Sequence, residues 1–492
     1  MPTQWGKLAY DTLVTFRVAP GTAGLTLVPD LAVSLPPATN GGTTYAFRLR
    51  RGIRYSDGTA LVAGDFRRAI ERLFRAGSPG ADFYSGVVGA RACRRRPATC
   101  DLSSGIRTDD ASGTIVFRLV SPDPDFLYRL TPFSYGAPVP PRTPDRDVRS
   151  KPVAGTGPYR LLPWDGGEIR FERNPFFREW SHAAQPDGNP DAVVWGVYPS
   201  FDAAATAIER GEADWTFGLI PPDRLRRLQL TAPGRLHANA TFVQDFIPLN
   251  TRRAPFDDVR VRRALNLAID RARIVRMYGG ASAATPTCQP LPPGFLGYRR
   301  YCPYTSSPDP DGAWRVPDLR RARRLVVASG TKGQLVQVWG TTDALLPRGL
   351  PAYVASVLRS LGYRTKLHLV PGASITYAMR RRFQLSVDGD WLPDYPKPSS
   401  FLPQFFGCNG GYSNGYVCDR DLDRKMQQAT ALQVRDAGRA AALWAEIDRL
   451  IVDRAYWVPT VNSHSPELVS KRLRNFQYNP IWDFIADQAW LR

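Results

Sequence analysis

Long apolar runs are missing from this sequence. No stretch of about 18 uncharged apolar residues occurs, so we expect no membrane-spanning helix. The first residues, Met1 to Leu13, also lack a charged start, an apolar core and a small-residue cleavage site in that order, and they do not form a secretory signal. Export is therefore either absent or directed by a leader that we expect to be missing from this chain.

Lysine is scarce as well. Lysine and arginine together number 65 against 45 acidic residues, a net charge of +20, and only seven of the basic residues are lysines. This skew resembles a base-composition bias. Nucleic-acid binding would require the charge on one face with aromatic residues between the basic ones. The short clusters at 94–96, 320–324 and 380–382 are instead scattered among acids, so we expect solvated surfaces and no nucleic-acid partner.

Metal-ligand and nucleotide motifs are absent from the sequence. The four histidines, His182, His237, His368 and His464, are widely spaced and form neither H-x-x-x-H nor H-E-x-x-H. No G-x-x-x-x-G-K-[ST] loop occurs, so ATP hydrolysis of the P-loop type would need a separate protein. We expect no metal and no cofactor.

Six cysteines fall into three local pairs, and no pair has C-x-x-C spacing. Local pairing suggests three loop-closing disulfides, although six thiols allow fifteen connectivities. Disulfides persist in oxidising compartments, which favours an extracytoplasmic location. Reduced, buried cysteines are the alternative. The pairs are Cys93 with Cys100, Cys288 with Cys302, and Cys408 with Cys418.

The chain is long and apolar enough to fold. Its 492 residues include 55 aromatics, and its length suggests about three domains. Alternation predicts strands at 45–49, 113–119 and 168–173, the last with an antiparallel partner. Helical spacing predicts helices after Asp65 and Asp258, and at about 202–210, 352–361 and 436–454. Strands and helices are therefore mixed in an α/β fold.

Five ordered motifs resemble the family 5 extracellular solute-binding proteins, which serve peptide, dipeptide and nickel ABC importers. They cover nearly the whole chain. They are Leu27-Val-Pro-Asp-Leu-Ala32 with Tyr45-Ala-Phe-Arg-Leu-Arg50 and Tyr55-Ser-Asp-Gly-Thr59, then Gly155-Thr-Gly-Pro-Tyr159, Gly211-Glu-Ala-Asp214, Pro255-Phe-Asp-Asp-Val-Arg-Val-Arg262 with Ala264-Leu-Asn266 and Ala268-Ile-Asp270, and Trp391-Leu-Pro-Asp-Tyr-Pro-Lys-Pro398.

The fold that the resemblance implies is a two-lobed, Venus-flytrap α/β binding protein with an extra subdomain in the first lobe. A ligand would be enclosed between the lobes and would select the closed state. Before residue 1, the resemblance implies a further opening strand. The implied boundaries are 1–31 for the start of the first lobe, 32–153 for the extra subdomain, 154–249 for the first lobe continued, 250–467 for the second lobe and 468–492 for the return to the first lobe.

The resemblance also implies site residues. Trp391 stands where peptide-binding members place an aromatic wall, and Asp394 stands where they place the carboxylate that meets a peptide's amino group. Tyr395 would pack beside Asp394, and Tyr84 and Phe217 would line the cleft from the first lobe. The alternative treats Trp391 and Tyr395 as core aromatics and Asp394 as a turn residue.

The sequence departs from the family before the tryptophan. Some peptide binders carry an arginine there to hold a peptide's carboxylate, whereas Asp388 and Asp390 flank Gly389 in this chain. Two acids at this place favour a more cationic ligand. The alternative is that they sit at the solvent edge. The implied partners are a small peptide or peptide-like ligand and permease subunits with a separate ATPase, and we expect a monomer that reaches the membrane through its transporter.

Two further functions compete. Gly411-Tyr-Ser-Asn-Gly415 fits the G-x-S-x-G of hydrolases, but it lies in a Gly/Asn/Cys loop rather than between a strand and a helix, so we expect no enzyme. Nickel or haem binding would need a ligand cluster that the histidines and methionines do not offer. A ligand-sensing module, cut from a longer regulatory protein, remains the alternative to import.

Overall fold

The computed structural model describes residues 3–148, 151–164, 166–216, 218, 220–342, 347, 349–371, 383–387, 389–408, 410 and 417–492, without the side chains of residues 3 and 4. Among these residues, no helix combines the length and the apolarity needed to cross a bilayer. The chain divides into two compact units. The first comprises Met1–Pro199 and Arg472–Arg492, and the second comprises Ser200–Lys471.

The helices and strands are mixed along the chain, as the sequence predicts. The strands are β1 Val14–Phe16, β2 Leu27–Pro29, β3 Thr44–Arg48, β4 Ile106–Asp109, β5 Thr114–Arg118, β6 Tyr159–Leu161, β7 Ile169–Arg173, β8 Ala192–Trp195, β9 Trp215–Thr216, β10 Leu236–Pro248, β11 Ala284–Pro286, β12 Leu335–Thr341, β13 Arg364–Val370, β14 Leu385–Val387, β15 Gly389–Trp391, β16 Trp457–Val469, β17 Leu473–Arg474, β18 Tyr478–Asn479, β19 Asp483–Phe484 and β20 Trp490–Leu491. The helices are α1 Thr3–Ala9, α2 Gly64–Arg75, α3 Ala90–Arg95, α4 Phe126–Arg129, α5 Phe133–Gly136, α6 Phe201–Arg210, α7 Pro222–Thr231, α8 Val259–Ala268, α9 Arg271–Tyr278, α10 Leu319–Ser329, α11 Leu350–Ser360, α12 Leu402–Phe406, α13 Arg420–Arg435 and α14 Ala437–Arg454.

The first unit contains two three-stranded antiparallel sheets, in the orders β3-β5-β4 and β6-β7-β8. The alternation predicted for 168–173 is confirmed, because β7 pairs antiparallel with β6 and with β8. Helix α2 covers the core beside β3 and β5 with its buried stripe of Phe66, Ile70, Leu73 and Phe74. Asp65 lies in the first turn of this helix rather than before it, and its carboxylate accepts the N–H of Val62 (3.0 Å).

The second unit contains a five-stranded sheet and a parallel one. The parallel sheet has the order β13-β12-β14, and helix α11 packs on β12 and β13. In the larger sheet, β16 lies between β11 and β10, and β10 also pairs with β15. Strands β10 and β16 are each thirteen residues long and run antiparallel from the pair Leu236/Leu468 to the pair Pro248/Trp457.

Helix α8 begins where the sequence predicts it. The side chain of Asp258 accepts the N–H of Arg260 (2.7 Å), which satisfies a backbone donor that the first helical turn leaves unpaired. The predicted apolar face is buried in the core of the second unit, and it comprises Val261, Ala264, Leu265, Ala268 and Ile269. Helices α6, α11 and α14 lie within two residues of their predicted bounds.

The division into compact units differs from the lobe boundaries that the resemblance implies. Residues 200–249 were expected in the first lobe, but they lie in the second unit. The physical reason is packing within the second unit. Strand β10 pairs with β16 from Leu236 to Pro248, and helices α6 and α7 bury Ile208 and Leu228 in the core of that unit. The lobe boundaries themselves remain a prediction.

All three predicted disulfides are present: Cys93–Cys100, Cys288–Cys302 and Cys408–Cys418. Each closes a short loop, and no cysteine is left unpaired. Since the loops join neighbouring segments of one unit, each bridge restrains a local stretch of the unfolded chain.

Two buried arginines hold segments of the second unit together. Arg271 is wholly buried, and its guanidinium donates to the carbonyl oxygens of Thr287 (2.7 Å), Pro459 (3.0 Å) and Asn266 (3.0 Å). Burial lowers the pKa of Arg271 to about 9. These bonds fasten the start of helix α9 to strand β16 and to the segment after β11.

Arg262, also buried, donates to the carbonyl oxygens of Phe256 (2.8 Å), Asp257 (3.1 Å) and Arg454 (3.0 Å). It thereby ties helix α8 to the end of helix α14.

A buried carboxyl group lies in the second half of strand β10. Asp245 is 4% exposed and accepts hydrogen bonds from the hydroxyls of Tyr278 (3.0 Å) and Ser463. Burial, assisted by the charge of Asp390, raises its pKa to about 7, although the two hydroxyl donors act in the opposite direction.

We predict that Asp245 makes stability fall as pH rises. A carboxyl group whose pKa is higher in the folded chain stabilises it fully below the unfolded pKa, near 3.8, and this contribution is lost as pH rises through about 7. This difference in pKa between the folded and the unfolded chain corresponds to roughly 4 kcal/mol in the free energy of unfolding. The D245N variant keeps two hydrogen-bonding atoms without a charge, so its stability relative to the parent chain should increase from about pH 4 to about pH 8.

Urea unfolding followed by tryptophan fluorescence measures this difference. The variant D257N, at an exposed aspartate of the same unit, is measured beside it as the control for the loss of a carboxylate. A D245N difference that does not change with pH would contradict the assignment.

Candidate functional site

Trp391 lies at the end of the short strand β15, which pairs antiparallel with β10. The register places Trp391 opposite Gln244 and Gly389 opposite Phe246. A Cβ atom added to Gly389 would lie 2.6 Å from the carbonyl oxygen of Phe246, so the strands approach more closely than a larger residue permits. The close approach of the two strand backbones therefore fixes the position of the Trp391 backbone.

The ring of Trp391 joins an aromatic cluster, which we define as Phe246, Trp391, Phe405, Phe406 and Trp457. Trp391 meets Phe405 edge to face at 4.9 Å between ring centroids. Trp457 stacks on Phe246 at 3.6 Å and contacts both Phe405 (4.8 Å) and Phe406 (4.4 Å). Rings held at right angles and in stacks have few alternative positions, so the cluster gives the half-buried Trp391 a fixed orientation.

Asp394 and Tyr395 lie on the loop that follows β15. Tyr395 is 2% exposed, and its carbonyl oxygen accepts the N–H of Lys397 (2.7 Å) and the hydroxyl of Ser400 (2.9 Å). These bonds anchor the loop through Tyr395, while Asp394 is exposed. The loop thus presents a carboxylate to solvent three residues after a tryptophan with a fixed ring.

Two carboxyl groups face each other across β10 and β15. Asp245 and Asp390 are directly opposite in the strand register, which places their side chains on one face of the sheet. Burial raises the pKa of Asp390 as it does that of Asp245. Because successive side chains along a strand point to opposite faces, these two carboxyl groups lie on the other face of the sheet from the ring of Trp391. Asp388, the other acid before the tryptophan, lies outside the described residues.

Of the two residues predicted to line the cleft from the first lobe, Tyr84 is described by the structure and Phe217 is not. Tyr84 is wholly buried in the core of the first unit, and its hydroxyl donates to the carbonyl oxygen of Tyr135 (3.0 Å). Burial raises its pKa. Tyr84 therefore has a packing role, and its contact with a ligand stays a prediction. Phe217 lies outside the described residues.

The described residues give no support to the hydrolase-like motif or to a metal site. The hydrolase-like stretch 411–415 lies outside the described residues, between the bonded cysteines Cys408 and Cys418. In the part of the chain that the structure describes, no three His, Cys, Asp or Glu side chains gather closely enough to hold a metal ion.

Sequence reasoning missed the residues that support Trp391. Phe246, Phe405 and Trp457 are distant in sequence, and Asp245 is separated from Asp390 by 144 residues. The available signal was the alternation in β10, which identifies a strand. Nothing in the sequence specified which strand lies beside it.

Comparison with known proteins agrees with this architecture. Residues 26–413 match the model of the bacterial extracellular solute-binding proteins, family 5 Middle. The chain is 25% identical to Di/tripeptide-binding protein 2 of Pseudomonas aeruginosa (strain UCBPP-PA14), over 96% of this chain and 87% of that protein.

Solved structures show the same fold. The chain superposes on Clavulanic acid biosynthesis oligopeptide binding protein 2 with a TM-score of 0.84 and 23% identity, covering 100% of this chain and 92% of the other. Haemophilus influenzae OppA, solved in complex with the peptide RPPGFSPFR, gives a TM-score of 0.74 and 21% identity, covering 99% and 94%. The chain therefore has the α/β two-lobed fold of these binding proteins, and it belongs to the bacterial extracellular solute-binding proteins of family 5.

Proposed function

We propose that this chain captures short peptides or peptide-like solutes outside the cytoplasm and delivers them to an ABC importer. The observation that carries the proposal is that an exposed carboxylate, Asp394, lies on the loop that directly follows the strand holding the fixed ring of Trp391. The family is one of solute-binding proteins, and the relatives named above bind di- and tripeptides or oligopeptides. They support import rather than the ligand-sensing alternative.

In this proposal the Asp394 carboxylate binds the ammonium group at the amino end of the ligand. A buried ammonium requires a paired anion, because an uncompensated charge in a closed site costs several kcal/mol. The ring of Trp391 forms a wall beside it, and Tyr395 supports the loop from the core. Tyr84 and Phe217 would contribute from the first lobe.

The acids near Trp391 bear on ligand choice. Asp388 and Asp390 precede Trp391 closely in the sequence, and carboxylates near the ligand would attract cations. A ligand with a basic side chain fits this environment better than one whose free carboxylate points toward it. In this proposal the ligand is released chemically unchanged, and the chain acts as a monomer without a cofactor. Binding to the permease subunits, which work with a separate ATPase, would bring the chain to the membrane.

Retained ligand provides the first test. Native mass spectrometry of the purified chain should show added masses in the range of short peptides, or should show them after incubation with a peptide library. Denaturing conditions should release these masses unchanged. A chain that retains no member of a library covering basic and neutral peptides would contradict the proposal, as would a released product that differs from the peptide supplied.

The role of Asp394 has a sharper test. D394A should weaken binding of a peptide with a free amino end by about 2 to 5 kcal/mol, or roughly thirtyfold to several thousandfold in Kd, because it leaves the ammonium without its anion. Isothermal titration calorimetry measures the affinity.

The same peptide with an acetylated amino end is the ligand control, since D394A and the parent chain should bind it equally weakly. The matched variant D257A removes an exposed aspartate elsewhere in the second unit and should bind like the parent chain. If D394A loses as much affinity for the acetylated peptide as for the free one, Asp394 does not meet the amino group.

A further inference from the structure

The basic residues are concentrated in one segment of the second unit. Between Trp314 and Val370 the chain has ten lysines and arginines, two aspartates and no glutamate. About a ninth of the chain thus supplies eight of the twenty net positive charges. This finding corrects the expectation that the cluster at 320–324 is scattered among acids.

Helix α10 displays four of these charges on one side. Its buried residues, Ala322 and Val326, face the core of the second unit. The opposite arc carries arginines that are all exposed, namely Arg320, Arg321, Arg323 and Arg324. Asp318 precedes the helix and accepts the backbone N–H of Arg321 (2.9 Å), so this carboxylate serves the helix start.

Further basic residues extend the same surface. Arg323 donates to the carbonyl oxygen of Ser360 (3.2 Å), which brings the end of helix α11 beside helix α10. Around that end, Arg364 donates to the carbonyl oxygen of Gly333 (3.0 Å), and the side chain of Lys332 packs over Gly362. We call this surface the arginine face and define it as Arg320, Arg321, Arg323, Arg324, Lys332, Arg359 and Arg364.

In the described part of the chain, no acid is bound to the charges of the arginine face. Over the residues that the structure describes, none of its seven cations forms an ion pair, and those with hydrogen bonds donate to carbonyl or hydroxyl oxygens. Other arginines of the same unit do pair with acids. Arg224, for example, binds both Asp202 (2.8 Å) and Glu209 (2.8 Å). As far as the described residues go, the arginine face thus keeps its charge for a partner.

Exposed apolar side chains lie among these arginines. Val327 is 66% exposed and Leu319 is 37% exposed, both on helix α10. Helix α10 contains no aromatic residue, which disfavours a single-stranded nucleic acid. Guanidinium groups bind phosphates in pairs of hydrogen bonds, and short apolar side chains between them can enter the headgroup layer.

We propose that the arginine face binds the surface of a bilayer that contains anionic phospholipid. The family acts outside the cytoplasm, where the extended anionic surface nearest to an importer is the outer face of the membrane. An area of contact with lipid would hold the protein near the transporter in addition to any contact with the permease. This surface is separate from the Trp391 loop, so its test does not depend on the ligand.

The experiment measures partition of the full-length chain onto vesicles. Vesicles of phosphatidylglycerol and phosphatidylcholine in equal parts should bind the parent chain, and vesicles of pure phosphatidylcholine should not. Added salt should release it, because exposed charges are screened. The variant R320Q/R321Q/R323Q/R324Q should bind more weakly by about fivefold for each arginine removed, or roughly several hundredfold in all. Glutamine preserves helix propensity, and circular dichroism confirms folding.

A control variant separates the arginine face from overall charge. R91Q/R95Q/R96Q/R107Q removes four exposed arginines of the first unit and should change the partition by less than about tenfold. The pair R320Q/R324Q, which is less disturbing to the helix, should give an intermediate loss of roughly thirtyfold. Equal losses in the control and the α10 variant would overturn the proposal. So would equal binding to both vesicle types, or binding to duplex DNA or polyglutamate without binding to anionic vesicles.

Discussion

The pairing of strands β10 and β16 is the interaction on which the second unit depends. Each strand is thirteen residues long, and more than two hundred residues separate them in sequence. Their ladder brings the stretch before helix α8 beside the stretch after helix α14, and it adds β15 at its free edge. Because backbone hydrogen bonds fix the register, each paired side chain of the two strands has a defined neighbour, except in the irregular stretch between Ala240 and Gln244.

The candidate site inherits its geometry from that ladder. Strand β15 can lie against β10 only because residue 389 has no side chain, and this close approach sets where Trp391 begins. The aromatic cluster then fixes the ring, and the hydrogen bonds to the carbonyl of Tyr395 fix the loop that carries Asp394. A binding residue on a loop is effective when its surroundings are rigid. Here the aromatic cluster holds the start of the loop, and hydrogen bonds within the loop, from Lys397 and Ser400, hold Tyr395.

Sequence patterns predicted the local structure well and the long-range contacts poorly. The cap at Asp258 and the apolar face of helix α8 follow from spacing over ten residues, and the structure confirms both. The disulfides are confirmed because each joins cysteines that are close in sequence. The stacking of Trp457 on Phe246, and the opposition of Asp245 and Asp390, depend on which strands pair across hundreds of residues. The spacing of residues along the chain does not specify which strands pair, so these contacts become visible only in the folded structure.

The buried arginines give a structural reason for part of the excess of arginine over lysine. A guanidinium group is flat and has five N–H donors that point in several directions, so Arg271 can reach three carbonyl oxygens at once. A lysine ammonium is a single centre at the end of a flexible stem and would leave some of those oxygens unsatisfied in a dry interior. The same holds at Arg262. A solvated surface arginine can satisfy its N–H groups with water, whereas at these two positions the multiple donors of a guanidinium group meet fixed carbonyl oxygens.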